Sequence, residues 1–140
     1  MKNEMFANML DQPHLLIAGT TGSGKSVLIN NLMTEALEKS PNEVQFILID
    51  PKRVELVDYA MLPHTMRYAD EPEEMFDALS YALEVCELRF RIMQDRHLKK
   101  SQAADLYVVI DELADLVFQN KRVLPVLTRI AQLGLSGQSL

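Results

Sequence analysis

Apolar residues follow two rhythms along this chain. His14 to Ala18 (HLLIA), Val44 to Ile49 (VQFILI) and Leu106 to Ile110 (LYVVI) are short runs of aliphatic, β-branched and aromatic residues. They stop respectively at Gly19-Thr20, Asp50-Pro51 and Asp111-Glu112. Runs of this length, bounded by turn-forming or charged residues, predict buried strands. Elsewhere the spacing changes to three and four. Val27, Leu28, Asn31, Leu32 and Ala36 are read as one side of a helix after the first strand. Met75, Leu79, Leu83, Cys86, Phe90 and Met93 draw a single stripe on a long helix.

That long helix has a start written into it. Asp70-Glu71-Pro72-Glu73 supplies a cap candidate at Asp70, an early proline and acidic residues near the positive end of the helix dipole. Arg53 to Tyr59 reads as a short helix, and Pro63 to Tyr68 as a small strand or an irregular segment. Helical patterns cover Leu113 to Phe118 and Val123 to Leu133, with Pro125 in the first turn of the second. Gly134 to Leu140 has no periodicity. Strands alternating with helices across short connections predict an α/β fold, a parallel sheet with crossover helices on its faces. Residues 1–12 read as a lead-in, 13–134 as the core and 135–140 as a tail.

Composition narrows the class. A chain of 140 residues with 48% hydrophobic and 24% charged residues is the size and make-up of one globular domain. No stretch offers the roughly 20 apolar residues of a membrane helix, and MKNEMFANMLDQ is not a secretory signal. One cysteine and three separated histidines argue against a disulfide or a structural zinc site and fit a reducing cytoplasm. His14, His64 and His97 read as structural or surface residues, and Cys86 as a small buried hydrophobe. A net charge of -6 speaks against nucleic-acid binding through bulk positive charge, so any DNA contact would be local. Arg89, Arg91, Arg96, Lys99 and Lys100, interleaved with Glu87 and Asp95, read as a solvated helix face.

The chemistry lies at the ends of the strands. Gly19-Thr20-Thr21-Gly22-Ser23-Gly24-Lys25-Ser26 fits G-x-x-x-x-G-K-[ST] between a strand end and a helix start, with Val27 continuing into the helix. Glycines let such a loop fold into a nest of N–H groups around the α- and β-phosphates of a nucleotide, reinforced by the helix dipole. Lys25 would reach the β- and γ-phosphates, and the Ser26 hydroxyl would ligate Mg²⁺. Asp111, carried out on the third apolar strand, would hold Mg²⁺ through water. Glu112 beside it is the candidate to orient or deprotonate an attacking water. Asp50-Pro51-Lys52 ends the second strand at the same edge and, taken alone, reads as a strand terminator followed by a helix start.

Four segments in order resemble the FtsK/SpoIIIE family of DNA translocases: Pro13 to Ser26, Phe46 to Leu56 (FILIDPKRVEL), Leu62-Pro63-His64 and Val108 to Leu116 (VVIDELADL). The similarity spans roughly residues 12 to 134. It implies a three-layer P-loop NTPase with a RecA-like parallel sheet and helices on both faces, using ATP and Mg²⁺. It implies a homo-hexameric ring that threads double-stranded DNA, with Asp50 and Lys52 as motor-coupling candidates. Relatives of this kind serve chromosome segregation, sporulation, conjugative transfer and protein secretion.

After Ile130-Ala131-Gln132-Leu133-Gly134 the family usually continues with a basic residue and a sensor strand, where this chain has Leu135 and stops at Leu140. On that resemblance the sheet is expected to be incomplete at the C-terminus, and the chain to be a truncated translocase domain. The missing strand would lie between the phosphate-loop strand and the strand of Asp111. Leaving both unpaired would cost about 1–3 kcal/mol per buried backbone group. The alternative is that the two strands pair directly. Two other functions stay open at this point: a secretion or conjugative coupling ATPase, and a non-catalytic nucleotide-binding or interaction fragment.

Overall fold

The computed structural model describes residues 14–19, 25–99 and 103–138. Four strands, β1 (His14–Gly19), β2 (Val44–Ile49), β3 (Thr65–Ala69) and β4 (Asp105–Asp111), form one parallel sheet in the order β1-β4-β2-β3. The helices are α1 (Lys25–Ala36), α2 (Pro72–Asp95), α3 (Leu113–Gln119) and α4 (Val123–Gln138).

Alternation along the strands sorts the core into two layers, as a sheet covered on both faces requires. Val44, Phe46 and Leu48 of β2, with Tyr107 and Val109 of β4, pack against Ile29, Leu32, Met33 and Ala36 of α1. Ile47, Ile49, Leu106, Val108 and Ile110 face the other way, onto Met75, Ala78, Leu79, Ala82 and Cys86 of α2 and Leu127, Ile130 and Leu133 of α4. The result is three layers, helix, sheet and helices. Cys86 is fully buried, as expected for a small hydrophobe.

Of the two arrangements left open for the phosphate-loop strand and the strand of Asp111, direct pairing is the one adopted. β1 pairs directly with β4 from His14↔Leu106 to Gly19↔Asp111, so the backbone groups of the two strands satisfy each other. Pro63 to Tyr68 resolves into β3, which begins at Thr65 and extends the sheet beyond β2.

Other expectations need correction. The buried face of α1 is Ile29, Leu32, Met33 and Ala36, a clean i, i+3, i+4, i+7 set. Val27 is 65% exposed and Asn31 is exposed, because the face first read from the sequence would have buried an amide without a partner. Arg53 to Tyr59 is not a helix but a bend ending in a 3₁₀ turn at Val57–Tyr59. Arg53 sits at φ 59°, which a right-handed helix does not admit. Its side chain reaches Asp70 Oδ2 at 3.1 Å and also Glu71. The N-cap of α2 is Glu71 and not Asp70: Pro72 is the first helical residue and holds the residue before it in the extended conformation, φ -111° and ψ 148°. α4 runs on to Gln138 past the aperiodic segment, since glycine lowers helix propensity without forbidding the helix.

The cationic group on α2 is also not uniformly solvated. Arg91, Arg96 and Lys99 are exposed, and Lys100 lies outside the described residues. Arg89 is half-buried and donates through Nη1 to the Ala104 carbonyl oxygen at 2.6 Å, pinning the entry to β4; burial lowers its pKa below the usual arginine value. His64 is structural: it stacks on Phe46, and its Nε2 donates to the Lys39 carbonyl oxygen at 2.7 Å. His97 is exposed at φ 55°, the left-handed residue after the end of α2. No helix among the described residues is long and apolar enough to cross a membrane.

Candidate nucleotide site

Parallel strands in register end together, and their C-terminal edge is where open α/β sheets take ligands. Gly19 of β1 lies opposite Asp111 of β4, while Ile49 of β2 lies opposite Ile110. Asp50 and Asp111 are therefore carried to the same edge as Gly19, where the glycine-rich motif Gly19 to Ser26 begins. Thr20, Thr21, Gly22, Ser23 and Gly24 lie outside the described residues. Lys25 is the first residue of α1 and Ser26 the second.

Asp111 and Glu112 are both buried. Asp111 is the last residue of β4, so the strand delivers its carboxylate to the edge. Glu112 is the N-cap of α3 with φ 59° and ψ 73°, a left-handed conformation that turns the chain sharply from strand to helix. For a non-glycine residue that conformation costs on the order of 1–2 kcal/mol. The Glu112 carboxylate faces Lys52, whose Nζ is 3.7 Å from Glu112 Oε2 and 3.7 Å from Asp115 Oδ2.

Asp50 does not face solvent. Fully buried, its Oδ2 accepts from the Leu56 N–H at 3.3 Å and from the Tyr68 hydroxyl at 3.1 Å. The Tyr68 pKa is raised above its ordinary value, first by burial, then by the charge of Asp50 and the hydrogen bond to it. Asp50 thus ties the connection after β2 to β3. Lys52 and Asp50, neighbours in sequence, do different things: one reaches across to α3 and the other holds its own loop in place.

The same connection reaches α1. Ser26 Oγ donates to Glu55 Oε1 at 2.9 Å, and one helical turn on, Tyr59 Oη donates to Asn30 Oδ1 at 2.8 Å. Val27, beside Ser26, is exposed. Glu55 and Asp115 stand inside the motif segments, but nothing in their spacing marked them as neighbours of the site. Their placement depends on how residues 50–64 fold over the edge.

The donors brought to this edge fit Mg²⁺. The Ser26 hydroxyl and the Asp111 carboxylate are hard oxygen donors, the class that Mg²⁺ takes directly or through its water. The Ser26 proton is already committed to Glu55, which leaves the Oγ lone pairs for a cation. Among the described residues there is no cluster of three or more His, Cys, Asp or Glu side chains that would hold a metal by itself. A site shared with nucleotide phosphates is consistent with that, because Mg²⁺ is commonly held by one or two protein oxygens plus phosphates.

Comparison with known proteins agrees with this architecture. The profile of the FtsK/SpoIIIE family matches residues 1–107. The chain is 37% identical over 156 aligned positions to the DNA translocase FtsK of Chlorobaculum tepidum, covering 95% of this chain and 19% of that protein. It is 37% identical over 148 positions to the DNA translocase FtsK of Helicobacter pylori strain J99, covering 94% of this chain and 18% of that one. The chain therefore spans under a fifth of the length of these relatives. Among solved structures, the pCW3 conjugation coupling protein TcpA, in its monomer form with ATPγS, superposes with a TM-score of 0.64 at 24% identity, over 89% of this chain and 38% of that one. The cytoplasmic domain of the type VII secretion ATPase EccC of Thermomonospora curvata gives 0.59 at 22% identity, over 87% and 16%. These structural likenesses establish a shared fold.

Proposed function

Because the chain belongs to the FtsK/SpoIIIE family, we propose that it is the ATP-binding core of a DNA-translocating motor. The observation that carries this reading is the Gly19↔Asp111 register, which sets the start of the phosphate-loop sequence beside the Asp111-Glu112 pair. In this reading Gly19 to Val27 cradle the phosphates, with Lys25 countering their charge. Ser26 and Asp111 hold Mg²⁺, which, when bound, offsets the charge that builds on the phosphates during transfer. Glu112, held beside Lys52, orients the attacking water and accepts its proton. Asp50 and Lys52 connect the site to the β2–β3 connection and are the candidates for coupling turnover to movement. Double-stranded DNA is the proposed substrate, and a homo-hexameric ring in the cytoplasm the proposed working form.

Calorimetry with ATP and Mg²⁺ on the parent and on Lys25→Ala tests the assignment. The parent is expected to bind and the variant to lose binding; a Lys25→Ala chain that binds ATP as tightly as the parent overturns it. A coupling ATPase for secretion or conjugation is the second reading, favoured by the fold shared with TcpA and EccC. Turnover stimulated by plain double-stranded DNA supports the translocase, and stimulation only by a protein substrate supports the alternative. Tight ATP binding with no turnover under either condition supports a non-catalytic nucleotide-binding role.

A further inference from the structure

Ser26 has one hydroxyl proton, and the structure gives it a specific acceptor. Ser26 and Glu55 are 29 positions apart and both half-buried, yet the hydroxyl donates to the Glu55 carboxylate at 2.9 Å. Glu55 does not reach this position by chance of a loose loop. The next residue, Leu56, is fully buried against the α1 layer, and its N–H is held by the buried Asp50 carboxylate. Four residues on, Tyr59 repeats the connection to α1 by donating to Asn30, four residues after Ser26. Two hydrogen bonds one turn apart thus lay the 55–59 segment along the first half of α1, anchored at Leu56.

A neutral hydroxyl that ligates a cation does so through an oxygen lone pair and must place its proton elsewhere. Where a partner fixes the proton, it also fixes the direction of the lone pairs and the side-chain rotamer; outer partners of this kind orient metal ligands and strengthen binding. On the reading that Ser26 ligates Mg²⁺, we infer that Glu55 is the positioning residue for that ligand, holding the Ser26 proton so that Oγ presents its lone pairs to the metal. Glu55 touches neither nucleotide nor metal in this assignment and acts only through Ser26. The β2–β3 connection then serves both halves of the site, Glu55 through the metal ligand and Lys52 through Glu112.

The test separates metal-dependent from metal-independent nucleotide affinity. Binding of the non-hydrolysable analogue AMP-PNP is measured by calorimetry with excess Mg²⁺ and again with EDTA, for the parent, Glu55→Ala and Glu55→Gln, with a thermal melt of each. Glu55→Ala is expected to lose about tenfold or more of the Mg²⁺-dependent gain in affinity, with the EDTA affinity unchanged. Glu55→Gln keeps an oxygen acceptor and is expected to retain most of the gain. A Glu55→Ala chain that keeps the full gain overturns the inference. So does one that loses affinity equally with and without Mg²⁺, which would mark a structural role, or a Glu55→Gln chain as impaired as Glu55→Ala, which would mark a direct charge effect. A parent whose affinity is indifferent to Mg²⁺ overturns the assignment of Ser26 itself, and the role of Glu55 with it.

Discussion

Lys52 Nζ lies 3.7 Å from Glu112 Oε2 and 3.7 Å from Asp115 Oδ2, bridging the end of β2 to the first turn of α3. The lysine is half exposed, and a pair of that exposure contributes at most about 1 kcal/mol. If it acts only by holding the Glu112 carboxylate, Lys52→Ala lowers ATP turnover by a factor of about 5 or less, with nucleotide affinity unchanged. A fall of several hundredfold in steady-state turnover would assign Lys52 a direct part in the chemistry instead.

Glu112 combines a catalytic assignment with a strained backbone, and substitutions separate the two. Glu112→Gln is expected to bind ATP like the parent while turnover falls by about 10²–10⁴-fold, the usual contribution of a general base. Glu112→Gly and Glu112→Ala both lose the carboxylate, but only glycine is at ease at φ 59°. Urea denaturation is expected to show the glycine variant about 1 kcal/mol more stable than the alanine variant. Equal stabilities would mean that the left-handed turn is not kept in the variants.

Tyr68 donates to a buried carboxylate that has a second partner in the Leu56 N–H. Removing the hydroxyl in Tyr68→Phe leaves Asp50 with less compensation for its burial. A loss of about 1–3 kcal/mol in unfolding free energy is expected, the range for a hydrogen bond to a buried charged group. Chemical denaturation of the two proteins side by side measures it.

Two neighbouring residues of α1 test which face the helix buries. Ile29 is in the core, so Ile29→Ala is expected to cost about 2–5 kcal/mol. Val27 is largely exposed, and Val27→Ala is expected to stay within about 0.5 kcal/mol of the parent. Reversal of that order in thermal melts would restore the face first read from the sequence.

Burial raises the Cys86 thiol from its ordinary pKa of 9.0 to about 11, with the charge of Arg89 opposing the shift and that of Glu87 adding to it. Between those values the unfolded chain releases the thiol proton and the folded chain keeps it. The resulting stabilisation is complete below pH 9.0 and lost as pH rises through about 11. Cys86→Ala is expected to flatten this part of the stability–pH curve measured by denaturation. In the native protein at neutral pH the thiol is expected to resist thiol reagents and to react on unfolding.

What could be read from the sequence was whatever has a local physical cause. Apolar runs ending at Gly19, Asp50 and Asp111 predict β1, β2 and β4, because a strand buried on both faces needs continuous apolar residues. The stripe from Met75 to Met93 predicts α2, because helical period alone puts those residues on one side. The phosphate-loop and Asp-Glu motifs are local too, since loop geometry and a strand end demand particular residues at fixed spacing. Where local patterns were ambiguous the reading failed. The face of α1 differed because Val27 and Ile29 are both apolar, and only packing against Phe46 and Val109 chooses between them. Arg53 to Tyr59 has helical composition, but Arg53 takes a left-handed φ and the Leu56 N–H is bonded to the buried Asp50 carboxylate instead of to a helical carbonyl. The contacts that shape the site, Ser26 with Glu55, Lys52 with Glu112, and Asp50 with Tyr68, join residues 18 to 60 positions apart. No periodicity encodes such pairs. They exist because parallel pairing brings the ends of β1, β4 and β2 to one edge and the β2–β3 connection folds across it.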